Sequence, residues 1–439
     1  MPGHPRKKQI DWCTKTLCEI FREFARDKTK VDLALWVDMY AFDVLGELFY
    51  GKSFGFMRER TDIGNYMKAI ESLLPAFPIG GTMPSYLTKL YFIATAIISP
   101  SFRGALGAVN HLASASSDAV EQRFEDVLEK RDDRRDMLRK DDRYHFAGAD
   151  TTAAAVSSIL YHLMRSPTHY EKLAAEIDTA ISEGRLSLPV VYSEAIKLPY
   201  LKACVNEGMR IHPSVGLTMP RVVPSGGSAI SGVYIPEGYR VGVNAAVVQY
   251  DRDVFGADAD HFNPDRWLEG DAVQMEKVLI PFGAGSGTCI GKNISLSEIY
   301  ELIPQLLRDF QLRLVDPGKE WATHIYWFNK ATDVHVYVAE RDHIGDVYLR
   351  GGLPTVVPVQ PRGNSGSDPP LRHNAGQQTR SNLTDTSVCG DASCVMKLIS
   401  GGFIAAKDVR TGKPELELIG CWGSAYGQIY MDIRGRWSG

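Results

Sequence analysis

For a chain of 439 residues this one is short of cysteine, with seven spread from Cys13 to Cys421. So few, so far apart, make no disulfide framework of the kind that staples small secreted domains, and they point to a reducing compartment. An excess of charge of either sign is also missing. Lys and Arg total 49 against 53 for Asp and Glu, a net charge of −4, which excludes the basic footprint of a nucleic-acid binder. Long hydrophobic runs are absent too. The opening MPGHPRKKQIDW is polar and basic with no apolar stretch after it, so it reads as no secretory signal. The most apolar run, Tyr86 to Ser99, falls short of the about 20 residues that a membrane-spanning helix needs. It reads as a buried helix, with a surface that dips into a bilayer as the sharper alternative.

What is present suffices for a large core, since 44% of the residues are hydrophobic. Apolar periodicity through Leu33, Trp36, Val37, Tyr40, Val44 and Leu48 makes residues 11–74 helical. Pro75, Pro78 and Pro84 with Gly80 and Gly81 predict a long break. Charges crowd from Ala119 to Arg143, as a solvated helix face or linker does. Helices follow from Phe146 to Met164, stopped by Ser166-Pro167, and from Pro199 to His212, stopped by Pro213. The stretch Ala229–Asn244 alternates like β-structure and turns at Pro236-Glu237-Gly238. A last helix is expected from about Cys289 to Phe310, then a strand pair ending near Ala339. The class is mostly α with a minor β portion. Residues 1–340 form the main domain, 341–387 a flexible linker rich in Gly, Pro, Ser, Asn and Gln, and 388–439 a small C-terminal segment of unassigned role.

Three sequence features carry chemistry. The first is Phe282-Gly283-Ala284-Gly285-Ser286-Gly287-Thr288-Cys289-Ile290-Gly291, a cysteine on a glycine-rich loop at the start of a helix. Gly283, Gly285 and Gly291 permit tight turns and let a flat ligand lie against backbone. A helix N-terminus favours a thiolate. One thiolate without neighbouring Cys or His does not make a zinc site, but it suits haem, where a single axial sulfur donor pushes electron density into the iron. A merely reactive or buried loop cysteine is the bland alternative. The second feature is Glu207-Gly208-Met209-Arg210, opposite charges three apart on a helix whose Leu201, Cys204, Val205 and Met209 form an apolar stripe. By itself such a pair is usually a surface bridge. The third is Ala147-Gly148-Ala149-Asp150-Thr151-Thr152, an acid and alcohols inside an apolar helix, where both side chains compete for backbone hydrogen bonds.

In this order, with Arg266 of Phe262-Asn263-Pro264-Asp265-Arg266-Trp267 placed 23 residues before Cys289, the features resemble the cytochrome P450 family, over roughly residues 10–340 and closest to fungal members acting on lipophilic small molecules. The resemblance implies a cytochrome P450 fold, incomplete here, and a haem-thiolate monooxygenase. Its cofactor would be haem b (iron protoporphyrin IX), with Cys289 as the metal ligand and Phe282, Gly283, Gly285 and Gly291 forming the haem loop. Glu207, Arg210 and Arg266 would be a structural triad locking that loop. Asp150 would relay protons and Thr151 would hydrogen-bond dioxygen. Arg221 stands where members pair a haem propionate. No nucleotide-binding loop is visible, so electrons would come from NADPH through NADPH-cytochrome P450 reductase. The implied location is the endoplasmic reticulum membrane, cytosolic face, with peripheral membrane contact. With no anchor in the sequence, a cytoplasmic protein is the alternative.

Three departures from the family pattern keep alternatives open. The N-terminal anchor, first strands and a Trp/Arg-bearing helix have no counterpart; RRDMLRKDDRYH leads directly into the Asp150 helix; and Gly287 stands where members usually place a propionate-binding basic residue. The alternatives are a truncated remnant without enzymatic role and a haem-thiolate isomerase or dehydratase, against which the Asp150-Thr151 pair argues.

Overall fold

In the computed structural model of the chain, the residues described are 7–83, 85–108, 146–341, 394–399, 403–408, 428–431 and 437–438. The charged run Ala119–Arg143 and, apart from Arg341, the linker expected over 341–387 lie outside them. Helix α1 (Lys7–Asp27) buries Ile10, Cys13, Leu17, Cys18 and Phe21, spaced three or four apart on one face. Strand β1 (Val31–Asp32) follows, and Asp32 then caps α2 (Leu33–Leu45), its carboxylate accepting from the Leu35 N–H at 3.3 Å. Almost all of α2 is buried. Its Asp43 carboxylate accepts from the N–H groups of Gly55, Phe56 and Met57 at 2.7, 3.2 and 2.9 Å, which turns the chain back after the helix. The helical span expected over 11–74 is therefore broken into pieces, with only short helical turns at Gly46–Tyr50, Phe56–Glu59 and Ile63–Asn65 before α3 (Tyr66–Leu73).

The break expected at the prolines is instead a short helix, α4 (Ala76–Thr82). Pro78 lies in its first turn, where a missing N–H costs no helical bond. A side chain on Gly80 would lie 2.5 Å from the Phe92 ring, so glycine is what lets the next helix cross so closely. That helix is α5 (Ser85–Ile98), the apolar run expected to be buried. It is not buried. Tyr91, Phe92 and Ala96 pack against Leu73, Ala76 and Phe102, while Tyr86, Leu90, Ile93 and Ile97 are exposed at helical spacing along another face, Ile97 by 71%. Among the described residues no single helix is long and apolar enough to cross a membrane, and only α5 with Pro100–Ala108, bent by 106°, passes as a pair.

The centre of the molecule is α6 (Phe146–Arg165), which packs on α2, on α8 and on α9. Its Ala149, Ala153 and Ala155 are small enough for these helices to approach, and Val156, Ile159, Leu160 and Leu163 fill the core between them. Helix α7 (Pro167–Ser182) leads to α8 (Pro199–Ile211), and proline occupies the first turn of both. The β-rich part comprises β2 (Met219–Val222), β3 (Ser228–Ile230), β4 (Val233–Ile235) and β5 (Arg240–Val243). Strands β3 and β4 form a hairpin through Ser231 and Gly232, both with positive φ (48° and 82°), as a two-residue turn requires. The turn expected at Pro236-Glu237-Gly238 thus closes no hairpin, because β5 pairs with β2.

Helix α9 (Lys292–Asp309) starts three residues after Cys289, later than expected. It runs into β6 (Phe310–Leu314), followed by the hairpin β7 (Ala322–Ile325) and β8 (Asn329–Thr332) and by β9 (His335–Glu340), which lies between β1 and β6. In the tail, β10 (Cys394–Ile399) pairs with β11 (Phe403–Asp408), and β12 (Gln428–Met431) lies parallel to β5 and pairs with β13 (Trp437–Ser438).

The closest helix contact carries a test. A Cβ on Gly208 of α8 would stand 2.4 Å from Ile159 Cγ1 and 3.0 Å from its Cα. Ala has the better helix propensity by about 1 kcal/mol, yet overpacking against backbone costs about 1–3 kcal/mol. Gly208→Ala is expected to lower the melting temperature; an unchanged or raised value would show that α6 and α8 can move apart freely.

Candidate active site

The Cys289 loop is built on left-handed turns. Gly283 and Gly285 have φ of 69° and 64°, which other residues rarely adopt. The loop is closed by Cys289 N–H donating to Phe282 O at 2.9 Å and Thr288 N–H donating to Gly285 O at 3.1 Å. Gly291 takes a right-handed conformation, and the thiol lies 3.7 Å from where its Cβ would stand. Of the cysteines whose side chains are described, Cys13, Cys18 and Cys204 are buried, and burial pushes their thiols well up. Cys289 is exposed.

Gly287 has no such backbone requirement, for it does not adopt a positive φ. What fills its side-chain space is Arg221 from β2: a Cβ at 287 would stand 1.9 Å from Arg221 Nη2 and 2.7 Å from its Cζ. The guanidinium therefore rests against the glycine of the loop, with Nη1 donating to Pro220 O at 2.9 Å. A basic group does lie beside position 287. It arrives from another strand.

The charges of Glu207, Arg210 and Arg266 form a buried cluster and not a surface bridge. Arg210 grips Glu207 bidentately, Nε to Oε2 and Nη2 to Oε1, both at 2.8 Å, and both residues are fully buried. Arg266 Nε donates to Glu207 Oε1 at 3.0 Å, Trp267 Nε1 to Oε2 at 2.8 Å, and the Asn263 N–H to Oε1 at 2.9 Å. The arginines' remaining donors reach carbonyls of Gln249, Ala259 and His261, and Arg266 also pairs with Asp258 at 2.9 Å. Gln249, which nothing in the sequence singled out, carries this order to the cysteine loop. Its Nε2 donates to Met209 O and Arg210 O, while its Oε1 accepts from the Ile280 N–H at 3.0 Å, two residues before Phe282.

A side-chain hydrogen bond joins α6 to α9, the helix that follows the cysteine loop. Thr152 Oγ1 lies 2.8 Å from Gly148 O and 3.0 Å from Ser295 Oγ of α9. One residue earlier, the Thr151 carbonyl accepts from Ser214 Oγ at 2.7 Å. Asp150 is buried, with Oδ1 3.7 Å from Lys330 Nζ and Oδ2 without a hydrogen-bond partner. Burial pushes its carboxyl up to about 7; Lys330 opposes the rise, and Asp38 and Glu71 add to it. Asp38 had a signal in sequence, as an acid within the apolar LALWVDMYAFDVL, but Lys330 and Glu71 had none.

A family model described as "Cytochrome P450" matches residues 5–326. The chain belongs to the cytochrome P450 family. It is 39% identical over 356 residues to cytochrome P450 monooxygenase gsfF of Penicillium aethiopicum, covering 76% of this chain and 70% of that protein. It is 35% identical to cytochrome P450 monooxygenase ACRTS1 of Alternaria alternata, covering 70% and 88%. A pisatin demethylase of Fusarium vanettenii is 32% identical, covering 73% and 66%. The crystal structure of a cytochrome P450 (CYP102L1) superposes with a TM-score of 0.61 at 17% identity, covering 76% of this chain and 74% of that one, which shows the shared fold. Membership brings haem as cofactor, a redox partner, a small-molecule substrate and monooxygenase chemistry. The residues present fit that cofactor: an exposed sulfur on a glycine-rich loop, a guanidinium against Gly287 of that loop, and an orphaned carboxyl oxygen on the central helix.

Glu207→Ala is expected to keep the protein from accumulating in a folded, haem-binding form, because two guanidinium groups would stay buried without their carboxylate, at a cost of about 3–5 kcal/mol. Soluble yield and thermal melting measure it, and near-normal melting would make the cluster dispensable.

Proposed function

We propose that this chain is a haem-thiolate monooxygenase that oxidises a lipophilic small molecule, with Cys289 as the axial ligand and NADPH-cytochrome P450 reductase as the electron source. The observation that carries the reading is Cys289 itself: of the described cysteine side chains it alone is exposed, on a loop whose glycines leave room for a flat group. Bound haem supplies the redox-active iron at which dioxygen is activated and one oxygen atom is transferred to substrate. Cys289 Sγ offers the anionic donor. Arg221, freed from its contact with Pro220 O, supplies a planar cation for a propionate. Asp150, with its carboxyl pushed up to about 7, exchanges a proton readily near neutral pH, and Thr151 next to it orders the path by which that proton leaves. Support for a lipophilic substrate comes from the tip of the β7–β8 hairpin. The tip carries Ile325, Tyr326, Trp327 and Phe328, and its Trp327 and Phe328 are joined to 215–216, beside the Ser214 that holds Thr151 (Gly216 N–H to Trp327 O, 3.2 Å).

Reduction under carbon monoxide is expected to give a red-shifted Soret band in the wild type and none in Cys289→Ala, since the shift needs a strong sulfur donor. An unchanged spectrum in the variant would remove Cys289 from the iron. Arg221→Ala is expected to weaken haem binding about tenfold to a hundredfold, the worth of one charge-assisted bond. If the wild-type chain itself takes up no haem, the reading of a remnant without enzymatic role replaces this one.

The exposed face of α5 favours a peripheral contact with a lipid surface, in keeping with a site on the cytosolic side of the endoplasmic reticulum. Tyr86, Leu90, Ile93 and Ile97 present a continuous apolar stripe. Ile93→Asp with Ile97→Asp is expected to abolish co-sedimentation with neutral phosphatidylcholine vesicles without changing the haem spectrum. Equal sedimentation of wild type and variant would end the proposal.

A further inference from the structure

Lys330, the second residue of β8, stands among three carboxylates drawn from three helices. Its Nζ is 2.9 Å from Asp38 Oδ2 of α2, 2.9 Å from Glu71 Oε1 of α3 and 3.7 Å from Asp150 Oδ1 of α6. Lys330, Asp38 and Asp150 are nearly closed off from water, whereas the Glu71 side chain is 49% exposed. The backbone that carries the lysine is fixed. The Asn329 N–H donates to Ser214 O at 2.8 Å, and Asn329 clasps the His212 ring by contacts of 2.9 and 3.1 Å. Burial lowers the His212 ring to about 4, so it is neutral at physiological pH.

With every acid ionised, three negative charges would face one positive charge in a place of low dielectric. Such a cluster is relieved by holding one more proton. Asp38 has a tight contact with the ammonium, and Glu71 adds solvent to an equally tight one. Asp150 has the longest contact and an oxygen with no partner at all, so the proton belongs there. The charged or titratable groups facing the pair are Asp38 from α2, with Asp32 of β1 behind it; Glu71 and the Tyr66 phenol from α3; and Lys330 from β8.

We propose that Lys330 is a positioning residue for the oxygenase reaction: with Asp38 and Glu71 it sets the charge state of Asp150 and connects that buried acid to water at Glu71. This rests on the monooxygenase reading, in which converting one oxygen atom of O2 to water consumes protons. When Asp150 gives up its proton on the Oδ2 side, the carboxylate left behind draws the ammonium toward Oδ1. The cluster then lacks one proton, and solvent restores it from the Glu71 end. The acid is thus reloaded from outside through the lysine end of the cluster.

The test is an infrared titration of the resting, haem-loaded protein. The carboxylic acid band of Asp150 is assigned by its loss in Asp150→Asn. In the wild type it is expected to fade as pH rises through about 7. Lys330→Met removes the stabilising cation and is expected to move that midpoint up by about one pH unit or more, Lys330→Arg to restore it, and Glu71→Gln to move it down. Because Glu71 is half exposed, its variant carries the test even where Lys330→Met fails to fold. A midpoint that stays in place in Glu71→Gln and in every folded Lys330 variant overturns the proposal. The carbon monoxide spectrum of the same samples separates this outcome from failure of the haem-thiolate reading, since the sulfur-ligand band would then persist.

Discussion

A single carboxylate, taken entirely out of water and met by five donors, organises the half of the molecule that presents the sulfur. Glu207 receives two bonds from Arg210 and one each from Arg266, Trp267 and the Asn263 backbone. Each donor comes from helix α8 or from the segment after β5, whose regular structure is four short helices, Ala245–Val248, Arg252–Phe255, Arg266–Glu269 and Ala272–Val278. An ion removed from water holds its geometry only if nearly every lone pair is used. The saturation of Glu207 therefore ties these short helices to one another, where no strand ladder among the described residues does so. Gln249 extends the same logic, tying the carbonyls of α8 to the N–H of Ile280 and so to the loop that follows. The geometry of Cys289 is inherited from a charge cluster several residues away from any ligand.

The opposite half of the site depends on small residues. Alanines and glycines on α6 and α8 bring those helices close, and Gly208 lies between the two charged members of its own motif. The glycine of Glu207-Gly208-Met209-Arg210 is thus a spacer that lets the carboxylate's helix reach the central one. Ser158 Oγ donates to its carbonyl at 2.9 Å, which closes the contact with a polar bond.

Much of this was legible in the residues. Local patterns revealed themselves: the glycine loop with its cysteine, charges three apart on a striped helix, and an acid beside alcohols in an apolar stretch. What stayed hidden has a common cause, since it depends on partners far apart in the chain. Lys330 looks like any solvated lysine until β8 places it against α2, α3 and α6. Gln249 is one polar residue after an apolar run, and only the fold reveals that both ends of its amide are in use. Helix α5 was misjudged for a related reason. Composition records how apolar a run is, but whether a neighbour covers it is a tertiary fact. The proline-rich stretch before it formed a helix because Pro78 fell in a first turn, a matter of phase that composition does not carry.

The crossing of Arg221 over Gly287 makes two distant positions share one volume. The guanidinium occupies the volume that a side chain in the loop would need. A side chain introduced at 287 while Arg221 remains would push the guanidinium, the far end of a flexible side chain, out of its resting place, and a small residue at 221 alone would leave that space without charge. Exchanging both at once conserves volume and charge together. The two positions are thus coupled through a shared volume, and what one side chain may be depends on where the other one rests.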